Sequence, residues 1–285
     1  MSHLTNYAEN RLADMARGQG LSLAADWTVH LLTAVSDSSH TKVTGTGYAG
    51  VTVARSLAEW AGTQGAGTTL ASIGTSHRTS NNSVIDFGTG GAGGWSGPAI
   101  AVGLFDGTEL FTWADMDGRT ILEGEAFSFD PGTLIFDFGV TGGMSDYLSN
   151  ALIDLIWRAQ AYSWPANLYA AYTTTTPTNA TPGLEPGVGG YARQAIASSL
   201  SGWTPTQGGL VTDASSGTGG RIGNQAAVVF PEPTANQGVA THGELWDAAA
   251  GGNMMFWRAL AGAKSIVAGG PPPTFASDSI GITWA

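Results

Sequence analysis

The stretch GYAGVTVARSLAEWAGTQG at residues 47–65 returns as GYARQAIASSLSGWTPTQG at residues 190–208. The match runs without a gap from Gly47–Phe87 to Gly190–Phe230 at a constant offset of 143, with 18 identities in 41 positions. Among them are Tyr48/Tyr191, Trp60/Trp203, Thr63-Gln64/Thr206-Gln207, Arg78/Arg221 and Asn81/Asn224. Met1-Ser2 and Met144-Ser145 fall at the same offset, so the second copy is expected to begin where a start codon would sit. This is the pattern of gene duplication with fusion. It allows each chemical group to be checked against its counterpart within one chain.

Working outward, each copy opens with an apolar pattern at helical spacing. Leu4, Tyr7, Ala8, Leu12 and Met15 carry it in the first copy, and Tyr147, Leu148, Ala151, Leu152, Leu155 and Ile156 in the second, with Ser145-Asp146 as a cap. The helices are expected to pack on their own domains, or else to act as arms on a neighbouring subunit. Short alternating segments follow: Trp27–Leu31 and Leu168–Tyr172, Tyr48–Leu57 and Tyr191–Leu200, Val84–Phe87 and Val228–Phe230. About four more follow in each copy, ending at Leu134–Phe138 and Ile280–Trp284. Asp106-Gly107, Asp117-Gly118 and Gly251-Gly252 read as turns. The expected fold is mainly β: two similar antiparallel β-sandwich domains, 1–139 and 144–285, each preceded by an N-terminal α-helix and joined closely through residues 140–143.

Composition agrees with that class. Only 12% of the 285 residues are charged and 42 are glycine, as in turn-rich β-proteins. The net charge of -11, with 11 scattered Lys and Arg, argues against nucleic acid, which needs a clustered basic surface. Cysteine is absent, which removes disulfides, thiolate metal sites and a cysteine nucleophile. No secretory signal and no apolar run long enough to span a membrane are seen.

Few groups point to chemistry. Gly88, Gly90 and Gly93 match a dinucleotide fingerprint, but a strand rather than a helix is expected next, so a flexible loop is the better reading. Asp115, Asp117, Gly118 and Glu123 are spaced loosely like a calcium loop, yet a hairpin turn fits better. His3, His30, His40, His77 and His242 form no metal-binding pair by spacing. The acids Asp86, Asp115, Asp117, Glu123 and Glu125 have no acidic counterpart in the second copy, and only Asp106/Asp247 persists. Hence no catalytic residue, cofactor or metal is expected. Trp60/Trp203 and Trp113/Trp257 are shared and read as core anchors, whereas Trp95 and Trp164 are unshared and are candidate partner-interface residues.

The second copy carries a more specific text: MSDYLSNALIDLIWRAQ from Met144, Gly189–Arg193, Asn224–Pro231, Thr241–Ala248 and Gly251–Phe256. It resembles a family of small virion proteins from tailed bacteriophages, often labelled tail-fibre proteins and usually one domain long. The first copy joins through the internal repeat, with Gly50 in place of Arg193, while Gln237 and Pro271–Pro273 depart from the pattern. The resemblance implies a structural, non-enzymatic virion protein with no cofactor, and without a secretory signal it is expected to be made in the host bacterial cytoplasm. Compact domains and Gly-rich loops favour a capsid decoration (cement) protein bound to the major capsid protein, and the symmetry of icosahedral head sites suggests a homo-oligomer such as a trimer. The alternatives are a tail, neck or fibre component that binds other tail proteins or a receptor, and a sandwich-fold lectin or glycan-active enzyme.

Overall fold

A computed structural model of the chain describes residues 2–138 and 143–284. Residues 140–142 of the expected linker lie outside the described residues.

The first copy contains β1 (Ser2–Leu4), α1 (Asn6–Ala16), β2 (Asp26–Ser36), β3 (Ser39–Lys42), β4 (Val51–Ala54), β5 (Arg78–Ser80), β6 (Ile85–Thr89), β7 (Ala99–Asp106), β8 (Glu109–Arg119), β9 (Ala126–Phe129) and β10 (Ile135–Asp137). The second contains α2 (Asp146–Arg158), β11 (Asn167–Thr173), β12 (Gln194–Ala197), β13 (Arg221–Gly223), β14 (Val228–Val229), β15 (Gly238–Trp246), β16 (Met254–Ile266), β17 (Thr274–Phe275) and β18 (Gly281–Thr283). The main sheet of the first copy runs β1-β8-β7-β2-β3, with β4 also on β2; that of the second runs β12-β11-β15-β16. Two antiparallel ribbons form the other layer in each copy, β5/β10 and β6/β9 against β13/β18 and β14/β17. The fold is therefore mainly β and antiparallel, with one helix before each sandwich.

Strand alternation sorts the side chains by face. Trp27, Val29 and Leu31 of β2 point into the core, while Leu32 joins Phe105, Leu110 and Trp113 on the opposite face of the sheet. Three expectations change. The strand expected at Tyr48–Leu57 shortens to β4, because Gly47 (φ 82°) turns the chain and the Tyr48 hydroxyl accepts a hydrogen bond from the Leu31 amide at 2.8 Å. Asp117-Gly118 is not a turn but lies inside β8, which continues to Arg119 opposite Ala99. Gly88–Gly93, expected to be a flexible loop, closes β6 and is pinned by a bond from the Gly91 amide to the Thr46 carbonyl at 2.7 Å. A strand follows it, as expected.

The helices correspond at an offset of 140, not 143. Thr5 and Ser145 are the two N-caps, and their hydroxyls accept from Ala8 and Leu148 amides. Leu4 pairs with Thr112 as Met144 bridges Phe256. Met144 is thus the counterpart of Leu4, and its coincidence with Met1 carries no structural meaning.

Each helix does two things at once. It sits on its own sheet, with the Thr5 hydroxyl donating to the Leu110 carbonyl (2.6 Å) and the Ser145 amide to the Met255 carbonyl (3.0 Å). It also enters the other copy. Trp157 of α2 meets Phe136 and Phe138 of the first copy, with ring centroids 6.1 and 5.6 Å apart. Inner-face residues of both sheets and both helices accordingly form one continuous apolar cluster. A chain cut by an engineered protease site within residues 139–142 is expected to stay associated in gel filtration and to melt in a single transition. Separation of the halves on cutting would contradict the shared core.

Candidate functional site

The most distinctive chemistry lies where the copies meet. Arg158 ends α2, is fully buried, and places every guanidinium N–H on an acceptor. Nε donates to the Trp60 carbonyl (3.0 Å), Nη1 to Asp154 (2.6 Å) and the Ser72 hydroxyl (3.2 Å), and Nη2 to the Leu70 (2.6 Å) and Thr68 (3.3 Å) carbonyls. Arg17, also fully buried, repeats this in the second copy. It reaches the Trp203 carbonyl (3.1 Å), Asp14 (2.8 Å), the Asp213 carbonyl (2.8 Å), and the Leu200 and Val211 carbonyls (both 3.4 Å).

Several further bonds of the clasp are duplicated. Asp154 accepts from the Ser72 amide and Asp14 from the Ser215 amide, both at 2.9 Å. The Thr63 hydroxyl donates to Asn150 and the Thr206 hydroxyl to Asn10. Gln64 and Gln207 hold the loop through the Ala71 and Ala214 carbonyls, both at 2.9 Å. Trp60, Thr63, Gln64, Ala71, Ser72 and Gly74 are all among the 18 identities. The repeat is thus strongest where each copy receives the other's helix. Sequence reading missed the donors of this exchange. The signal was Asn-x-Leu-x-Asp, at Asn10–Asp14 and Asn150–Asp154, hidden by the change of offset.

Beyond the clasps the two seams differ. At the α2 seam, His77 has φ 56°, a conformation its counterpart Gly220 (φ 55°) adopts without a side chain. A non-glycine residue there costs about 1–2 kcal/mol. The strain places the His77 Nε2 2.9 Å from Asp146 Oδ1, across the copies. The contact is close but poorly aligned, and His77 Nδ1 and Asp146 Oδ1 keep no hydrogen-bond partner. Burial pushes the His77 pKa below the usual histidine value, with Asp146 opposing the shift. These two residues, with Thr75, Pro177–Ala180 and Trp257, line an open cleft of about 470 Å³. Trp257 donates its indole N–H to Asn179 at 3.0 Å and keeps part of its ring exposed.

At the α1 seam Glu9 presses on Gly220, is 7% exposed, and leaves Oε2 without a partner. Burial, reinforced by Asp37, raises its pKa to about 7. Trp113 is buried there, stacked under His3 at 4.9 Å.

The outer face of the main sheet shows a compensating exchange. In the second copy Arg193 lies 3.5 Å over the Trp246 ring and bonds Glu185 at 2.6 Å, beside fully buried Ala171. In the first copy Gly50 replaces Arg193 and His30 replaces Ala171; a side chain on Gly50 would strike the His30 ring. Burial, then Lys42 and His40, lowers the His30 pKa to about 4.

Trp95 and Trp164 do not meet here. Trp95 is 4% exposed and packs on Tyr48 (5.0 Å), because Gly45 and Gly94 let the backbone fold over it. Trp164 is partly buried against Trp284 (6.4 Å). Asp247 caps its hairpin by accepting from the Asn253 amide at 2.6 Å, whereas Asp106 accepts from the Ala24 amide at 2.6 Å and the Tyr7 hydroxyl at 2.7 Å. His242 bonds its neighbour Thr241 (2.9 Å). Among the described residues no group of three or more His, Cys, Asp or Glu is placed to hold a metal ion, and no helix is long and apolar enough to cross a membrane.

Two predictions follow from this geometry. Arg158→Met and Arg17→Met each leave a buried carboxylate and several buried carbonyls unpaired, and each is expected to cost about 3–5 kcal/mol in chemical denaturation. Arg78→Ala and Arg221→Ala, which break exposed pairs with Asp137 and Asp278, should cost at most about 1 kcal/mol. Glu9 is protonated in both states below its ordinary value of 4.5, so its stabilising protonation is lost as pH rises toward 7. Glu9→Gln should therefore raise the melting temperature at about pH 8 and leave it unchanged at about pH 4; an equal effect at both would refute the assignment.

No curated protein matches the chain. A family model described as podophage GP4 fiber I protein gp80 matches it twice, over residues 3–137 and 143–283. The two matches coincide with the two sandwich copies and together span nearly the whole sequence. The chain belongs to this fiber-protein family and is a bacteriophage virion structural protein.

Proposed function

We propose that the chain is a fibre component of the phage particle, a non-enzymatic subunit in which two family units are locked into one rigid block. The observation that carries this reading is the reciprocal helix exchange. It joins two units through buried guanidinium networks rather than a hinge, which suits a part that transmits load between a particle and what it touches. Its partners are other virion proteins, further copies of itself among them. The acids without a counterpart in the other copy, and the engagement of Asp106, Asp247 and His242 in structural hydrogen bonds, support a role without catalysis.

Head decoration is the second reading. It is favoured by apolar side chains on equivalent loops, Leu70 (72% exposed) and Ile73 (77%) in the first copy and Leu210 (66%) in the second, which suit docking on a repeated surface. Gold-labelled antibody on intact particles separates the two. Label confined to appendages of the tail is the expected result, and label spread evenly over the head would replace it with the decoration reading.

A further inference from the structure

The α2 seam has acquired features that the α1 seam lacks. His77 takes a strained left-handed conformation where Gly220 needs none. Trp113 is stacked under His3 at 4.9 Å, but Gly143 stands at the position equivalent to His3, and the ring beside Trp257 is the tilted, more distant His242 at 6.1 Å. A side chain at Gly143 is barred, both by its φ of 86° and by the Trp257 carbonyl against it. The outcome is a cleft of about 470 Å³ with a partly exposed indole on one wall. The remaining lining offers a carboxylate, two hydroxyls and one side-chain amide. Its volume falls in the usual range of small-molecule sites, about 300–1,000 Å³. Its exposed lining is mostly apolar, with a few polar groups set into it. Pro177, Ala180 and Trp257 are the non-polar members, and Thr75, Thr178, Asn179, Asp146 and His77 are polar.

We infer that this cleft binds a pyranose ring of a surface carbohydrate. A sugar presents an apolar C–H face to an indole, whose ring carries negative charge on its face, and hydroxyls around its edge. Asn179 Oδ1 already accepts from Trp257, which orients the amide and leaves its Nδ2 to donate to a sugar oxygen. Thr75 and Thr178 are exposed hydroxyls that donate or accept. Asp146 Oδ2 accepts from two adjacent sugar hydroxyls. The His77 ring, 2.9 Å from Oδ1, limits how that carboxylate can turn, so His77 acts as a positioning residue. The cleft is open to solvent, which admits a ring inside a longer chain. The site stands independently of whether the protein sits on the tail or the head.

The test uses the full chain and indole N–H resonances, with Trp257 assigned by Trp257→Phe. The probes are the methyl glycosides of glucose, galactose, mannose, rhamnose and N-acetylglucosamine. At least one of them is expected to move the Trp257 resonance saturably, while those of Trp27 and Trp60 stay fixed. Asn179→Ala, at the surface and outside the clasp, should weaken that binding about tenfold, equivalent to one lost hydrogen bond of about 1.4 kcal/mol. His77→Gly should also weaken it while leaving the fold intact, since Gly220 shows the backbone accepts glycine. If no glycoside in the panel moves Trp257, or if the shift persists unchanged in both variants, the proposal is overturned. Particle labelling is unaffected by either result, so this site and the fibre reading fail separately.

Discussion

Everything in the molecule depends on two buried guanidinium groups. An ionised side chain taken out of water costs several kcal/mol unless its charge and all its N–H groups are matched. Arg17 and Arg158 meet that demand only by reaching across the copies, to carbonyls at Leu200–Asp213 and at Trp60–Leu70. Arginine is required because its planar fork offers five donors in fixed directions, which lysine cannot do. The accepting carbonyls belong to long loops poor in regular structure. Those loops hold their shape because the arginine satisfies them. Helix position, loop conformation and the union of two cores are therefore one linked condition.

That linkage explains which parts of the duplicated sequence stayed alike. Residues that receive a helix keep their identity, since a change on one side strands a buried partner on the other. Elsewhere the copies drifted in compensated pairs. His30 with Gly50, and Ala171 with Arg193, fill the same space on the outer sheet face from opposite strands. Such exchanges follow from close packing, in which a large side chain on one strand forces a small one opposite.

Much of the fold was legible in the sequence, and the reason is periodic. Trp27–Leu31 alternates, and Trp27, Val29 and Leu31 are the side chains that enter the core. The helices were legible from spacing and caps. The exchange of helices was not, because it depends on which copy a side chain enters, and a gapless offset of 143 pairs Arg17 with Gln160 rather than with Arg158. Asp117-Gly118 misled because a turn dipeptide inside a long hairpin is overruled by continued pairing with β7. Trp95 misled for a related reason. Glycines beside a tryptophan suggest a loose loop, whereas here they let the backbone close over the ring.

The exchange also constrains how such units work. The family model spans one copy, yet one copy alone has a helix whose arginine finds its acceptors in another copy, and loops whose carbonyls await that arginine. A chain with a single unit satisfies both only by pairing with a second molecule, so its folded state is tied to concentration. Fusion converts that pairing into an intramolecular step with a high effective concentration. It also releases the two units from having to be identical. One seam then keeps a buried glutamate against a glycine, while the other opens a polar cleft beside an indole. A symmetric pair of separate chains would have to carry both features twice or neither, and the asymmetry of this molecule follows from the peptide that joins its halves.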